Sequence, residues 1–412
     1  MRGLIAIWVI VLFIISFPRT VFADDKDFPY SGTINQGEVW DNVWIYDTPP
    51  SFTTVNMLGG QVGSLDIATY STLNVDWGMI GNLNARDTSF VTINDGIINQ
   101  LSSSGNSRIT TYGGDFQNVS INESSRLRFY DGYIQNLNVF TNRATYISGG
   151  QIDNIYAYGW GNYQQVFNIS GGTINSISSD GSWNSKIFNI SGGQTNLYSN
   201  SGYSACYGNN VFNISGGEVW GLQGRDNMTI NVTGGKIGDY IDIGGQSILN
   251  VSVGNYSAIN GFMEGQIRIS GGTYNDIHLN DNSLLQLRNG SINSLTAGGD
   301  SYAILEGGII YELLVKDFAA VELYEGAIVS HILARDDGII KIYGYDFVYD
   351  ENGGSYGGGR LLGFWLDGHS LMIDFANALN DSTYYNHVLL IPEPVSIMLL
   401  SLGALFLRKR SS

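Results

Sequence analysis

Val166-Phe167-Asn168-Ile169-Ser170-Gly171-Gly172-Thr173-Ile174-Asn175-Ser176-Ile177 decides the fold, because Val211-Phe212-Asn213-Ile214-Ser215-Gly216-Gly217-Glu218-Val219 repeats its frame. The same frame returns at 187–193, 230–235 and 267–272. With the second glycine taken as position zero, the anchors are Gly60, Gly78, Gly96, Gly114, Gly132, Gly150, Gly172, Gly193, Gly217, Gly235, Gly254, Gly272, Gly290, Gly308 and Gly326, with weaker ones at Gly37 and near Gly344. Five successive steps from Gly60 to Gly150, and four from Gly254 to Gly326, are 18 residues long. A fixed period of this size is the mark of a stacked repeat.

Apolar residues sit at −5 and −3 (Phe167 and Ile169, Val321 and Leu323) and at +2, +5 and often +7 (Ile134, Leu137 and Val139). Spacing of two is that of a strand with one buried face. Position −4 is polar and expected to face out, often as asparagine: Asn56, Asn74, Asn168, Asn189, Asn213, Asn231 and Asn250. A unit of 18 residues has too few apolar side chains for its own core. Stacked in register, equivalent residues cover one another and form a continuous interior. The backbones then pair in parallel, coil on coil, at about 4.8 Å. The pattern predicts an all-β chain, a single-stranded parallel β-helix of about 17 coils over residues 24–345. The glycine column is expected to mark a turn that needs positive φ or close backbone approach. Inward positions fall at unequal intervals of 2, 5, 3 and 2. A left-handed hexapeptide helix needs equal steps, so a right-handed winding is favoured over a left-handed one.

Composition agrees with strands and turns: 54 Gly, 6 Pro, 14% charged and 43% hydrophobic residues. Formal net charge is −17, which repels a nucleic-acid backbone. Cys206 is the single cysteine, so neither an intramolecular disulfide nor a cysteine metal site is expected.

The two ends read as targeting segments. Arg2, the apolar run 4–17 and Val21-Phe22-Ala23 before Asp24-Asp25 give a secretory signal over residues 1–23, cut between Ala23 and Asp24. At the other end come Ile391-Pro392-Glu393-Pro394, the apolar run 395–407, Arg408-Lys409-Arg410 and two serines. That run is short against the roughly 20 residues a span needs. The prolines interrupt a helix, and the basic cluster suits retention at the cytoplasmic face. Residues 391–412 in this order resemble the PEP-CTERM sorting signal, also called the ice-binding protein C-terminal domain, of exopolysaccharide-producing Gram-negative bacteria. The resemblance implies processing by an exosortase-type protease, a transient inner-membrane stay, and delivery to the cell surface or extracellular matrix. Residues 346–390 break the period and are expected to form a β-rich end cap, since solenoid ends need covering. Within them, Gly363-Phe364-Trp365-Leu366-Asp367-Gly368 is loosely similar to a segment of other proteins with this tail.

The repeats also resemble autotransporter-like and pectin-lyase-like β-helices, which include polysaccharide lyases and hydrolases. Asp336-Asp337 has His331 and Arg335 nearby, but no Asn-Thr-Asp, Gly-His-Gly or Arg-Ile-Lys accompanies it, and Asp337-Gly338 is a common turn pair. His278, His331, His369 and His387 show no metal spacing. No G-x-S-x-G motif and no calcium nonapeptide occur. A polysaccharide-active enzyme is thus the alternative reading, and no catalytic residue, metal or cofactor is expected. One local departure stands out: the steps from Gly150 to Gly217 are 22, 21 and 24 residues, with the extra residues in one phase. They carry Tyr158, Trp160, Tyr163, Trp183, Tyr203 and Tyr207, an aromatic edge suited to flat sugar faces. The expectation is a non-enzymatic exported structural or adhesive protein, with extracellular polysaccharide as a partner through that edge. Ice binding needs a flat threonine array, and no outward column is consistently threonine.

Overall fold

The computed structural model describes residues 24–49, 51–157, 164–181, 185–196, 207–238 and 240–392. It is nearly all β, with 65% of residues in strands and 1% in helix, wound as a parallel β-solenoid of about 16 turns. Each turn has a short strand, such as Thr54–Met57, and a long strand, such as Gln61–Ile67. Short strands pair with short strands (Thr54–Met57 on Thr72–Val75), and long with long (Gln61–Ile67 on Met79–Ala85), residue over equivalent residue.

The −5 and −3 side chains point inward from the short sheet and are buried, as with Val55 and Met57 or Phe212 and Ile214. Phe167, Phe188 and Phe212 stack in one interior column at 4.7 and 4.6 Å. In the long strand the buried positions are +2, +5 and +7, with two successive residues outside between the first pair. The strand therefore turns a corner there, which explains the unequal inward spacing. All fifteen anchor glycines have positive φ, from +68° at Gly150 to +137° at Gly78.

Sequence counting gives about 17 coils where the structure has about 16 turns. The difference arises at the end. After Ile342 the chain does not turn into a long strand but continues through Ile339–Asp350 into an antiparallel hairpin with Gly357–Trp365, which pairs in turn with Ser370–Ala376. The last of these adds to the long sheet (His331 opposite Asp374), and Val388–Pro392 adds to the short sheet (Ile340 opposite Val388). Both sheets thus receive a final strand from the same terminal segment. Ile391 and Pro392, expected to open the tail, belong to that strand. Arg360 grips Asp374 through two bonds of 2.5 and 3.0 Å, and Tyr349 stacks on Tyr384 at 3.7 Å. Among the described residues no helix is long and apolar enough to cross a membrane.

Candidate functional site

Stacking in register converts a repeated outward residue into a column, so the outer face of the short sheet is the natural place to look for a site. Position −4 forms an amide ladder. Asn189 donates to Asn168, Asn213 to Asn189 and Asn231 to Asn213 at 2.9 Å each, and Asn250 donates to Asn231 at 2.8 Å. Asn189, Asn213 and Asn231 each spend one N–H and one lone pair on their neighbours. A second N–H and lone pair remain on the outer side.

The adjoining −2 column changes in character along the rod. It is bulky at Tyr112 and Tyr130, small at Ser148, Ser170, Ser191, Ser215, Thr233, Ser252 and Ser270, and bulky again at Arg288. The serine hydroxyls lie back on the turn beneath, as Ser191 does on the Ile169 carbonyl at 3.3 Å. Next to them the −1 glycines press on the turn before: a Cβ at Gly216 would lie 2.3 Å from the Ser191 carbonyl oxygen. Small residues between large ones leave a groove along the rod axis. Its first hollow, about 540 Å³, is lined by Arg128, Tyr130, Tyr146, Ser148, Asn168 and Ser170. Its second, about 390 Å³, lies among Asn231, Asn250, Ser252, Arg268, Gln286 and Arg288.

Tyr158, Trp160, Tyr163, Trp183 and Tyr203 lie outside the described residues, and of Tyr207 the backbone alone is described, paired with Asp180. The residues flanking those loops are informative. Where most turns bury a serine before the short strand (Ser71, Ser89, Ser107), the three long turns bury Gln165, Lys186 and Asn210. Asn210 donates to Ser179 at 2.8 Å, and Gln165 to the Val139 carbonyl at 2.8 Å. The loops therefore spring from a polar corner of the interior. Ala23, Glu393, Pro394, Arg408, Lys409 and Arg410 also lie outside the described residues; Asp24 and Pro392 lie within them.

Ionisable groups converge at one place on this face. Lys341 meets the buried Glu322 carboxylate at 2.9 Å, and the Tyr324 hydroxyl donates to it at 2.7 Å. Burial pushes the Glu322 carboxyl up, but bonds from Tyr302, Tyr324 and Lys341 outweigh it and hold the pKa at about 2. The bond to Glu322 raises Tyr324, and burial together with the same carboxylate raises Tyr302. Lys341 is raised by its bond to Glu322. Acid–base catalysis needs groups poised near the working pH. Here every member is driven away from neutrality, which suits a fixed ion pair.

Asp336 sits in a turn with φ +61°, and Gly338 N–H closes that turn on the Arg335 carbonyl at 3.2 Å. His331 stacks on Tyr356 at 4.1 Å and lies 3.6 Å from Glu312, while Arg335 reaches Asp336 at 3.8 Å. His387 holds the Gly338 carbonyl and Asp381 at 2.8 and 2.9 Å, tying the Thr383–His387 helix to the last turn. Among the described residues no group of His, Cys, Asp and Glu is arranged to hold a metal ion. Compared with known proteins, the chain matches no family model, no curated protein and no solved structure.

Proposed function

We propose that this protein is an exported, non-enzymatic component of the bacterial surface or extracellular matrix. It works by display: a stiff stack presents one polar face over many turns. One observation carries the reading. From Asn168 to Asn250 the outer amides are bonded to one another up the stack, so the face is a regular array rather than a converging set of reactive groups. Such an array suits repetitive hydroxylated polymers, which meet the same donors and acceptors at each step. The aromatic loops belong to the same proposal as a second contact for extracellular polysaccharide, since their turns carry Asn168, Asn189 and Asn213, the first three members of the ladder.

The route follows from the two ends. Residues 1–23 direct export, and the tail from Pro392 through Arg410 is read by an exosortase-type protease after a brief stay in the inner membrane. Fractionation of cells expressing the full chain, with antibodies to the tail and to the body, tests this. The body should reach the surface or matrix without the tail. Replacing Pro392, Glu393 and Pro394 by alanine should leave tail and body together in the inner membrane. A body that stays in the cytoplasm, or a tail that survives on surface protein, would overturn the reading.

A further inference from the structure

Arg108 and Arg126 are direct register partners in adjacent turns, and Arg128 lies two residues along the same strand as Arg126. Among the described residues, none of these three guanidinium groups makes an ion pair or donates a hydrogen bond. Arg86, Arg288 and Arg360 are matched with Asp66, Glu306 and Asp374, whereas Arg143 and Arg225 stand without an ion pair among the described residues. What sets Arg108, Arg126 and Arg128 apart is their clustering on adjacent turns of one face. The chain carries 37 acidic residues against 20 basic ones, so partners are not scarce. Like charges directly opposite each other on a sheet destabilise it. The closest carboxylates in sequence, Glu123 and Asp131, accept backbone N–H groups instead, from Gly105 at 2.6 Å and Gly132 at 2.8 Å.

Three tyrosines share this face. Tyr112 and Tyr130 stack at 5.0 Å with planes 8° apart, and Arg128 lies over Tyr146 at 5.9 Å. All three rings are open to solvent, 53%, 42% and 44% exposed for Tyr112, Tyr130 and Tyr146. The residue after Tyr130 in its column is Ser148, so the ring face turned away from Tyr112 looks into the first hollow of the groove. A guanidinium stacked on a ring still offers its N–H edge.

We propose that this arginine–tyrosine face binds an acidic polysaccharide, a chain of carboxylated pyranose rings lying along the groove. The Tyr130 and Tyr146 rings take the apolar sugar faces. Arg108, Arg126 and Arg128 take the carboxylates in paired N–H···O bonds. Ser148 and the outward N–H of Asn168 take hydroxyls. The acidic body opposes any long polyanion, nucleic acid included, so the oligonucleotide arm of the test below decides between the two. The choice of a polysaccharide as the anion rests on the surface role proposed above; the anion-binding face itself does not.

Affinity electrophoresis of the full-length protein in mild detergent, through gels containing polygalacturonate or neutral dextran, tests the site. Polygalacturonate should retard the protein in a salt-sensitive way, and dextran should not. Arg108→Ala/Arg126→Ala/Arg128→Ala should weaken retardation about tenfold or more. The Lys triple variant, which keeps the charge but not the paired geometry, should fall between the two, and Tyr130→Ala should also weaken binding. Arg86→Ala/Lys236→Ala, outside the groove, should match the parent, and circular dichroism should show every variant folded. If the Ala triple variant unfolds, Tyr130→Ala and the Lys variant carry the decision. Unchanged retardation in the variants, equal retardation by dextran, or stronger binding of a single-stranded oligonucleotide would overturn the proposal. Polymer binding without surface delivery would sink the surface role and leave this site standing; delivery without binding would do the reverse.

Discussion

At the residue scale, the acidic side chains have a structural use that charge counting conceals. Asp87, Glu123, Asp281 and Asp317 take positive φ between +51° and +57° at the second turn of their coils. Each carboxylate then accepts the backbone N–H of the matching residue one turn earlier, as Asp281 does from Met263 at 3.1 Å. Asp tolerates the left-handed region better than most residues, so the column mixes carboxylates with glycines such as Gly105 and Gly299 (φ +67° and +62°) and left no uniform glycine signal in the sequence. Glu322 offers a pH test. Its folded carboxyl sits near 2 against an ordinary value of 4.5. It therefore adds stability above 4.5 that is lost as pH falls toward 2. Glu322→Gln should lower stability by about 1–3 kcal/mol at neutral pH. It should also flatten the fall in melting temperature over that acid window, and a parallel fall in both proteins would contradict the assignment. The Arg108–Arg126 pairing was equally hidden, because 18 residues separate two side chains that only register brings together.

At the scale of the element, the 18-residue period, the inward positions and the anchor glycines were legible because each recurs with one chemistry. The groove was not, because it depends on a run of small −2 residues between Tyr130 and Arg288, a contrast between turns rather than a feature of any one. The buried serine column escaped for a similar reason: Ser89 or Ser107 reads as a turn residue until the coil closes over it. The final strands Ser370–Ala376 and Val388–Pro392 carry no period at all. Their place follows from pairing with the last turn. The −1 glycines give an element-level prediction. Gly216→Ala puts a Cβ 2.3 Å from the Ser191 carbonyl oxygen, and backbone cannot yield as a side chain can. The cost should be about 1–3 kcal/mol. Hydrogen exchange should quicken in Lys186–Ile190 and Val211–Ile214. Ser215→Ala, one residue away and outward-facing, should change stability by less than about 0.5 kcal/mol.

For the whole molecule, ladder, groove and arginine face all exist because equivalent residues of successive turns lie over one another. The seven turns with a small −2 residue, from Ser148 to Ser270, set how long a polymer the groove can follow. At about 4.8 Å per turn that is roughly 34 Å. The most direct measurement of this stacking is disulfide trapping in a Cys206→Ser background. Asn231 and Asn250 are register partners in adjacent turns, and Arg268 lies one turn further. Adjacent strands place their Cα atoms about 4.8 Å apart, within disulfide reach, whereas two turns place them about twice as far. Asn231→Cys/Asn250→Cys should oxidise readily with the fold intact, and Asn231→Cys/Arg268→Cys should stay reduced. Cross-linking of the second pair in preference to the first, or of neither in the folded protein, would contradict the stack.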